Sequence, residues 1–188
     1  MTSENVLSAD NQQERLQLPN PWYVTGITDG EGSFHIALYQ DKRMRMALKV
    51  IPEFHVSQNA TSRQMLEELR QFFNCGNIKI NHRGRQSDQT LVLVVRNRDD
   101  LLTKIIPFFQ KYQLRTTKKK DFEIFSQIVL MMSQKEHQNQ VGAKKIINLA
   151  YQMNNQGKRR KTNKFDLIKI VESSETICES PAARRDKI

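Results

Sequence analysis

Asp29-Gly30-Glu31-Gly32 sets two carboxylates on either side of one glycine and closes on another. A carboxylate on so tight a turn, with a backbone carbonyl beside it, suits a hard divalent cation. Mg2+ in particular takes oxygen donors and keeps several of its own waters. Glu31 is the candidate carboxylate, and the carbonyl of Gly30 is a candidate second ligand. The alternative is a solvated acidic turn at the end of an ordinary helix. No His/Cys spacing of the zinc type occurs, so the chemistry would rest on oxygen ligands.

The elements on either side explain how such a turn is held. Asn20 can cap a helix whose first residue, Pro21, needs no amide donor. Trp22 to Gly30 continues it, with Val24, Ile27 and the aromatics as apolar positions. Gly26 and Gly30 lie inside this helix, where glycine costs roughly 1 kcal/mol against alanine. That cost is offset if another backbone comes close, because glycine has no Cβ to hold it away. Ser33 to Tyr39 then reads as a strand, so the acids sit where a close-packing helix hands over to a sheet.

The chain has 188 residues, enough for one cored domain with tails, and carries a net charge of +10. Such a balance favours a polyanionic partner, a nucleic acid or an acidic membrane surface. No apolar run approaches the roughly 20 residues that span a bilayer. Met1 to Leu18 has neither a signal-peptide core nor the arginine-rich look of a transit peptide. Cys75 and Cys178 make no disulfide framework, which points to a reducing compartment. No membrane partner and no secretion are expected.

Residues 1–18 read as a flexible lead-in, 19–155 as the folded domain, and 156–188 as a basic, partly disordered tail. Helix is expected over about 20–30, strands over 33–40 and 46–58, and Pro52 as an interruption of the second strand. Thr61 and Gln64 have capping-box spacing before a helix to Phe73, with Gly76 past its end. Two strands, 77–82 and 90–96, flank a polar loop from Arg83 to Gln89. Asp99-Asp100 begin a helix that Pro107 kinks or ends. Phe122, Phe125, Val129 and Met132 share one face of a helix over about 118–134, and another covers 140–153. Gly157 to Lys161 is a basic run, and residues after about 173 read as disordered.

Val24-Thr25-Gly26-Ile27-Thr28-Asp29-Gly30-Glu31-Gly32 resembles the signature of the LAGLIDADG homing endonucleases. It keeps the inner glycine, both acids and the closing glycine. It departs at its first two residues, and Glu31 stands where aspartate is commoner. Pro52 to Gln58 and Ile106-Pro107-Phe108-Phe109 stand at family-like spacing, as in single-motif members encoded in organellar rRNA introns. The resemblance covers about residues 20–155 and implies an α+β fold of order αββαββα. Its four-stranded antiparallel sheet is a saddle on the DNA major groove, followed by C-terminal helices.

The resemblance implies further roles. Glu31 and Gly30 would hold Mg2+, with Mn2+ substituting and Ca2+ binding without cleavage. Asp29 would stabilise helix ends at the motif interface, which Gly26 and Gly30 would help form in a homodimer. Gln58 would position water, although an ordinary strand-end glutamine is the alternative. Lys118, or its neighbours Lys119 and Lys120, would lie near the scissile phosphate, and Arg63 is a weaker candidate for that basic role. Alternation along the strands offers His35, Ala37 and Tyr39, then His55 and Ser57, for DNA contact. The hairpin adds Lys79, Asn81, Arg83, Arg85 and Gln89, with residue types suited to base edges and phosphates. The expected activity is a double-strand break in a long, roughly palindromic target of an intron-lacking allele, leaving short 3′ overhangs. The alternative is a maturase acting on its own intron RNA, or a regulator that only binds nucleic acid. The expected location is the organelle whose genome encodes the chain, chloroplast or mitochondrion, or a prokaryotic cytoplasm.

Overall fold

The chain passes directly from the signature into the centre of the core. In the computed structural model, which describes residues 18–81, 89–156, 160 and 162–178, α1 (Pro21–Glu31) runs straight into β1 (Gly32–Gln40). Asn20 caps α1 as its side chain accepts from the Trp22 amide at 2.8 Å. Three residues after Glu31, Phe34 is buried and stacks on Phe54 at a ring separation of 5.2 Å. It also meets Phe109, Phe122 and Phe125 at 5.5, 5.1 and 5.3 Å. The acidic turn is therefore anchored by an aromatic cluster, in which truncating one ring costs about 3–5 kcal/mol.

β1 pairs antiparallel with β2 (Leu48–Asn59), and β2 with β4 (Thr90–Val95), which also pairs β3 (Asn77–Ile80). The described strands form one sheet of order β1-β2-β4-β3. Pro52 does not interrupt β2. Its partner is Ile36, and β4 reaches back only to the Phe54–Val95 pair, so the missing amide withdraws nothing from that ladder. α2 (Arg63–Phe73) follows a 3-10 turn at Ala60–Ser62. The expected capping box is not used: Asn59 Oδ1 accepts from the Thr61 amide and hydroxyl, and Gln64 donates to Glu68. Asn74, in the left-handed region, caps the other end of α2 ahead of Gly76.

Beyond the sheet, α3 (Arg98–Asp100) and α4 (Ile106–Lys111) are joined by a π-helical turn at Leu101–Ile105. That wider turn comes just before Pro107, which lies in the first turn of α4, where its missing amide costs least. α5 (Lys118–Ser133) buries the expected Phe122, Phe125, Val129 and Met132 against the core. α6 (Gln140–Ala150) and the short α7 (Met153–Gln156) replace the single helix expected over 140–153.

The expectation of a tail from residue 156 is corrected by α8 (Lys164–Cys178), whose Leu167 and Val171 are fully buried. Helix also continues through 173–178, where disorder was expected. Arg160, read as part of a solvated basic run, is half-buried. It donates to the carbonyls of Ile36 and Ala150, each at 2.8 Å, and stacks on Tyr151. With Asn154, which donates to the Phe34 carbonyl at 3.1 Å, it covers the open edge of β1.

Candidate active site

The last turn of α1 meets the loop before α5 and the first residue of α5 through two reciprocal sets of bonds. Asp29 turns inward: its carboxylate accepts from the Arg115 amide at 2.7 Å, the Thr116 amide at 3.2 Å and the Thr116 hydroxyl at 2.8 Å. In return, Lys118 Nζ donates to the carbonyls of Thr28, Asp29 and Gly30 at 3.2, 2.8 and 2.8 Å. Those carbonyls belong to a helix C-terminus, where a cation is favoured by orphan acceptors and the helix dipole. Burial lowers the Lys118 pKa, and the nearby charges of Asp29 and Glu31 oppose that shift. Of the three lysines, Lys118 is the one that reaches the turn, whereas Lys119 donates to Gln113.

Glu31 has the opposite surroundings. It is exposed, and no ion pair or hydrogen bond engages its carboxylate among the described residues. Gly32 is opposite Val56, so the α1 turn lies beside the C-terminal end of β2, where Gln58 stands two residues on. Gln58 is half-buried and accepts from the Asn59 amide at 3.0 Å. Arg63 points along α2 to Glu67 at 3.1 Å.

The donor set suits a hard cation. Glu31 offers a free carboxylate, and the Gly30 carbonyl retains a second lone pair beside Lys118. Among the described residues no group of three or more His, Cys, Asp or Glu is placed to hold a metal. One carboxylate and one carbonyl match an ion that draws its remaining ligands from water and phosphate.

The far face of the sheet carries the other candidates. Ser33 pairs with His55, His35 with Glu53 and Tyr39 with Lys49, so these side chains share one face. Ser57 and Lys79 both oppose Val92, which brings Lys79 to that face as well. Tyr39 and Lys79 are exposed, and Asn81 lies just past β3. Gln89 uses its carbonyl to accept from the Ala60 amide at 2.7 Å. Arg83 and Arg85 lie outside the described residues. Sequence reading missed two charged members of this face, buried Glu53 and Arg96, which forms an ion pair with it. Strand alternation from His55 and Val94 would have placed both there. Burial raises the Glu53 pKa, but His55 and Arg96 outweigh it and hold the carboxyl at about 2. Burial and then the charge of Arg160 lower the His35 pKa.

On the same face as the helices, Gly26 and Gly30 meet no atom that would crowd an added Cβ within 4 Å. The close approach that would explain these glycines is thus absent within the described chain. Trp22 and Tyr23 on the same helix are 53% and 51% exposed.

Comparison with known proteins fits this geometry. A family model described as LAGLIDADG endonuclease matches residues 24–129, beginning at the first residue of the signature. The chain is 36% identical over 130 residues to a probable intron-encoded endonuclease 2 of Neurospora crassa, covering 68% of this chain and 28% of that relative. It therefore spans just over a quarter of that curated relative's length. Among solved structures it is similar to the homing endonuclease I-TnaI, at 34% identity and a TM-score of 0.70, covering 83% of this chain and 98% of that one. It is also similar to I-SmaMI bound to an uncleaved DNA target in the presence of calcium ions, at 31% identity and a TM-score of 0.68, covering 72% of this chain and 45% of that one. With the family model matched over more than half of its length, on the turn that presents Glu31, the chain belongs to the LAGLIDADG endonuclease family.

Proposed function

We propose that this chain is a site-specific DNA endonuclease of the homing type, acting as a homodimer on a long, roughly palindromic target. The observation that carries the reading is the turn itself: a free Glu31 carboxylate fixed beside an ammonium group that is locked to three carbonyls. The calcium-containing DNA complex of I-SmaMI supports the use of a divalent ion. Glu31 and the Gly30 carbonyl would hold Mg2+, with Mn2+ in its place supporting cleavage and Ca2+ supporting binding only. When bound, such an ion supplies charge neutralisation at phosphorus and a more acidic water.

The chain's own groups do the rest. Glu31 brings its charge to the DNA surface, where it can hold a cation against the phosphates. Lys118 stiffens the end of α1 and keeps a positive charge beside the reacting phosphate. Gln58, at the end of β2, would orient the attacking water through its amide. The open face of the sheet lies along the major groove, with His35, Tyr39, His55, Lys79 and Asn81 toward the DNA. The chain's positive charge supplies phosphate affinity, so binding should weaken steeply with salt.

Dimerisation follows from α1. Two such helices meeting at Gly26 and Gly30 across a twofold axis would bury Trp22 and Tyr23 and bring two Glu31 turns together. The test is a cleavage and gel-shift series with sedimentation. Wild-type protein should sediment on DNA as a dimer and cut both strands, and Glu31→Gln should bind without cutting. Wild-type cleavage by Glu31→Gln, or cutting by a monomeric complex, would overturn the reading.

A further inference from the structure

The DNA-facing side of a basic protein carries a buried acid, and its surroundings suggest why. Glu53 lies in the interior of β2, opposite His35 in the register, yet is only 6% exposed. Each carboxylate oxygen faces a basic side chain. Oε2 stands 2.9 Å from His55 Nε2, and Oε1 forms an ion pair with Arg96 Nε. Arg96 follows the last residue of β4, while its side chain remains 56% exposed. The guanidinium is thus gripped at Nε, and its two terminal amines make no other bond among the described residues.

Resting on the endonuclease reading, we propose that Arg96 reads a guanine edge in the target and that Glu53 is the residue that positions it. Paired terminal amines on a fixed guanidinium match the O6 and N7 acceptors of guanine in the major groove. A carboxylate here weakens general attraction to DNA, so it is a poor device for gripping phosphate. It is a good device for fixing an angle, because a pre-oriented fork loses less freedom on forming two bonds. His55, 2.9 Å from the second oxygen but without an aligned hydrogen bond, fills the space on that side of the carboxylate. Cross-strand neighbours strengthen the arrangement. Val94 is opposite both His55 and Asn77 and is buried, so an apolar side chain separates the two polar ones in the row next to Glu53 and Arg96.

The experiment is target profiling with every half-site position varied, read as binding in Ca2+ at several salt concentrations. The proteins are wild type, Arg96→Ala, Arg96→Lys and Glu53→Gln, with melting curves as the folding control. Arg96→Ala should lose about 10–100-fold of guanine preference at one position per half-site, leaving other positions and the salt slope near wild type. Arg96→Lys, which keeps the charge but not the fork, should lose most of the same preference. It tests the proposal even if Glu53→Gln fails to fold. A folded Glu53→Gln should blur that same position alone. Uniform weakening of all sequences by Arg96→Ala, with a salt slope lower by about one, would mean a phosphate contact and overturn the assignment. An unchanged profile in Arg96→Ala would overturn it too, and full preference in folded Glu53→Gln would remove the positioning role. A wild-type protein that selects no sequence would overturn the endonuclease reading as well, which separates the two failures.

Discussion

Two glutamates, Glu31 at the end of α1 and Glu53 in the middle of β2, are treated in opposite ways by the fold. Glu31 is exposed, with no hydrogen bond or ion pair among the described residues, on a turn braced from behind by Lys118. Glu53 is buried, with an imidazole on one oxygen and a guanidinium on the other. The difference teaches how to separate a carboxylate kept for an outside ligand from one used up inside the protein. An unpaired surface acid adds little to stability, so the rigid framework around Glu31 serves something other than folding. A paired buried acid is costly to disturb, because removing its charge strands its partners.

The same chemical change at the two positions should therefore split activity from stability. Glu31→Gln should cut at least about 100-fold more slowly, as expected from losing several kcal/mol of charge stabilisation. Its melting temperature should stay within about 2 °C of wild type, because no internal bond is lost. Glu53→Gln should lower stability by about 1–3 kcal/mol, less than a fully buried pair because Arg96 is half-exposed. Melting curves and cleavage rates measured together would break the comparison if Glu53→Gln proved as stable as wild type.

Acid should expose the pairing of Glu53. His55 and Arg96 overcome burial and hold Glu53 at about 2, below its ordinary 4.5. A lowered carboxyl pKa adds stability that is present above the unfolded value and lost as pH falls toward the folded one. Wild-type stability should thus drop between about pH 4.5 and 2. Glu53→Gln should flatten that part of the curve.

Asp29 sharpens the comparison from within the Glu31 turn. Two residues away, it is spent like Glu53, on three donors from the loop just before α5. Asp29→Asn should cost about 1–2 kcal/mol of stability, the scale of a charged hydrogen bond. It should affect the melt more than the cleavage rate per folded molecule. Gln58→Ala should be the mildest of the series, slowing cleavage by about 3–10-fold through looser water positioning and leaving the melt nearly unchanged.

How far the sequence reached depends on the range of the forces involved. The α1–β1 unit, the order of strands and the Phe122 face were legible because caps, alternation and helical periodicity are local signals. The inward turn of Asp29 was legible only in outline, since its donors lie 86 and 87 residues away. Thr61 and Asn59 offer competing caps two residues apart, and only the end of β2 decides for Asn59. Arg160 has the same basic neighbours as Arg159, and nothing local says that one guanidinium will cover a sheet edge. α8 lies in a stretch with polar and charged residues throughout, but Leu167 and Val171 gain burial from tertiary packing. Alternation put His55 and Ser57 on one wet face, and carried one step back it reaches Glu53, whose burial depended on its cross-strand neighbours.

The central claim is that a single Glu31 turn per subunit, paired in a dimer, cuts DNA at a chosen site. Its most direct measurement is sequencing the products after wild-type protein is incubated with a randomised double-stranded library, with and without Mg2+. The account predicts one long, roughly palindromic site, cut on both strands with short 3′ overhangs, and only when the ion is present. Cutting without sequence preference, or equal cutting in the absence of any divalent cation, would contradict it.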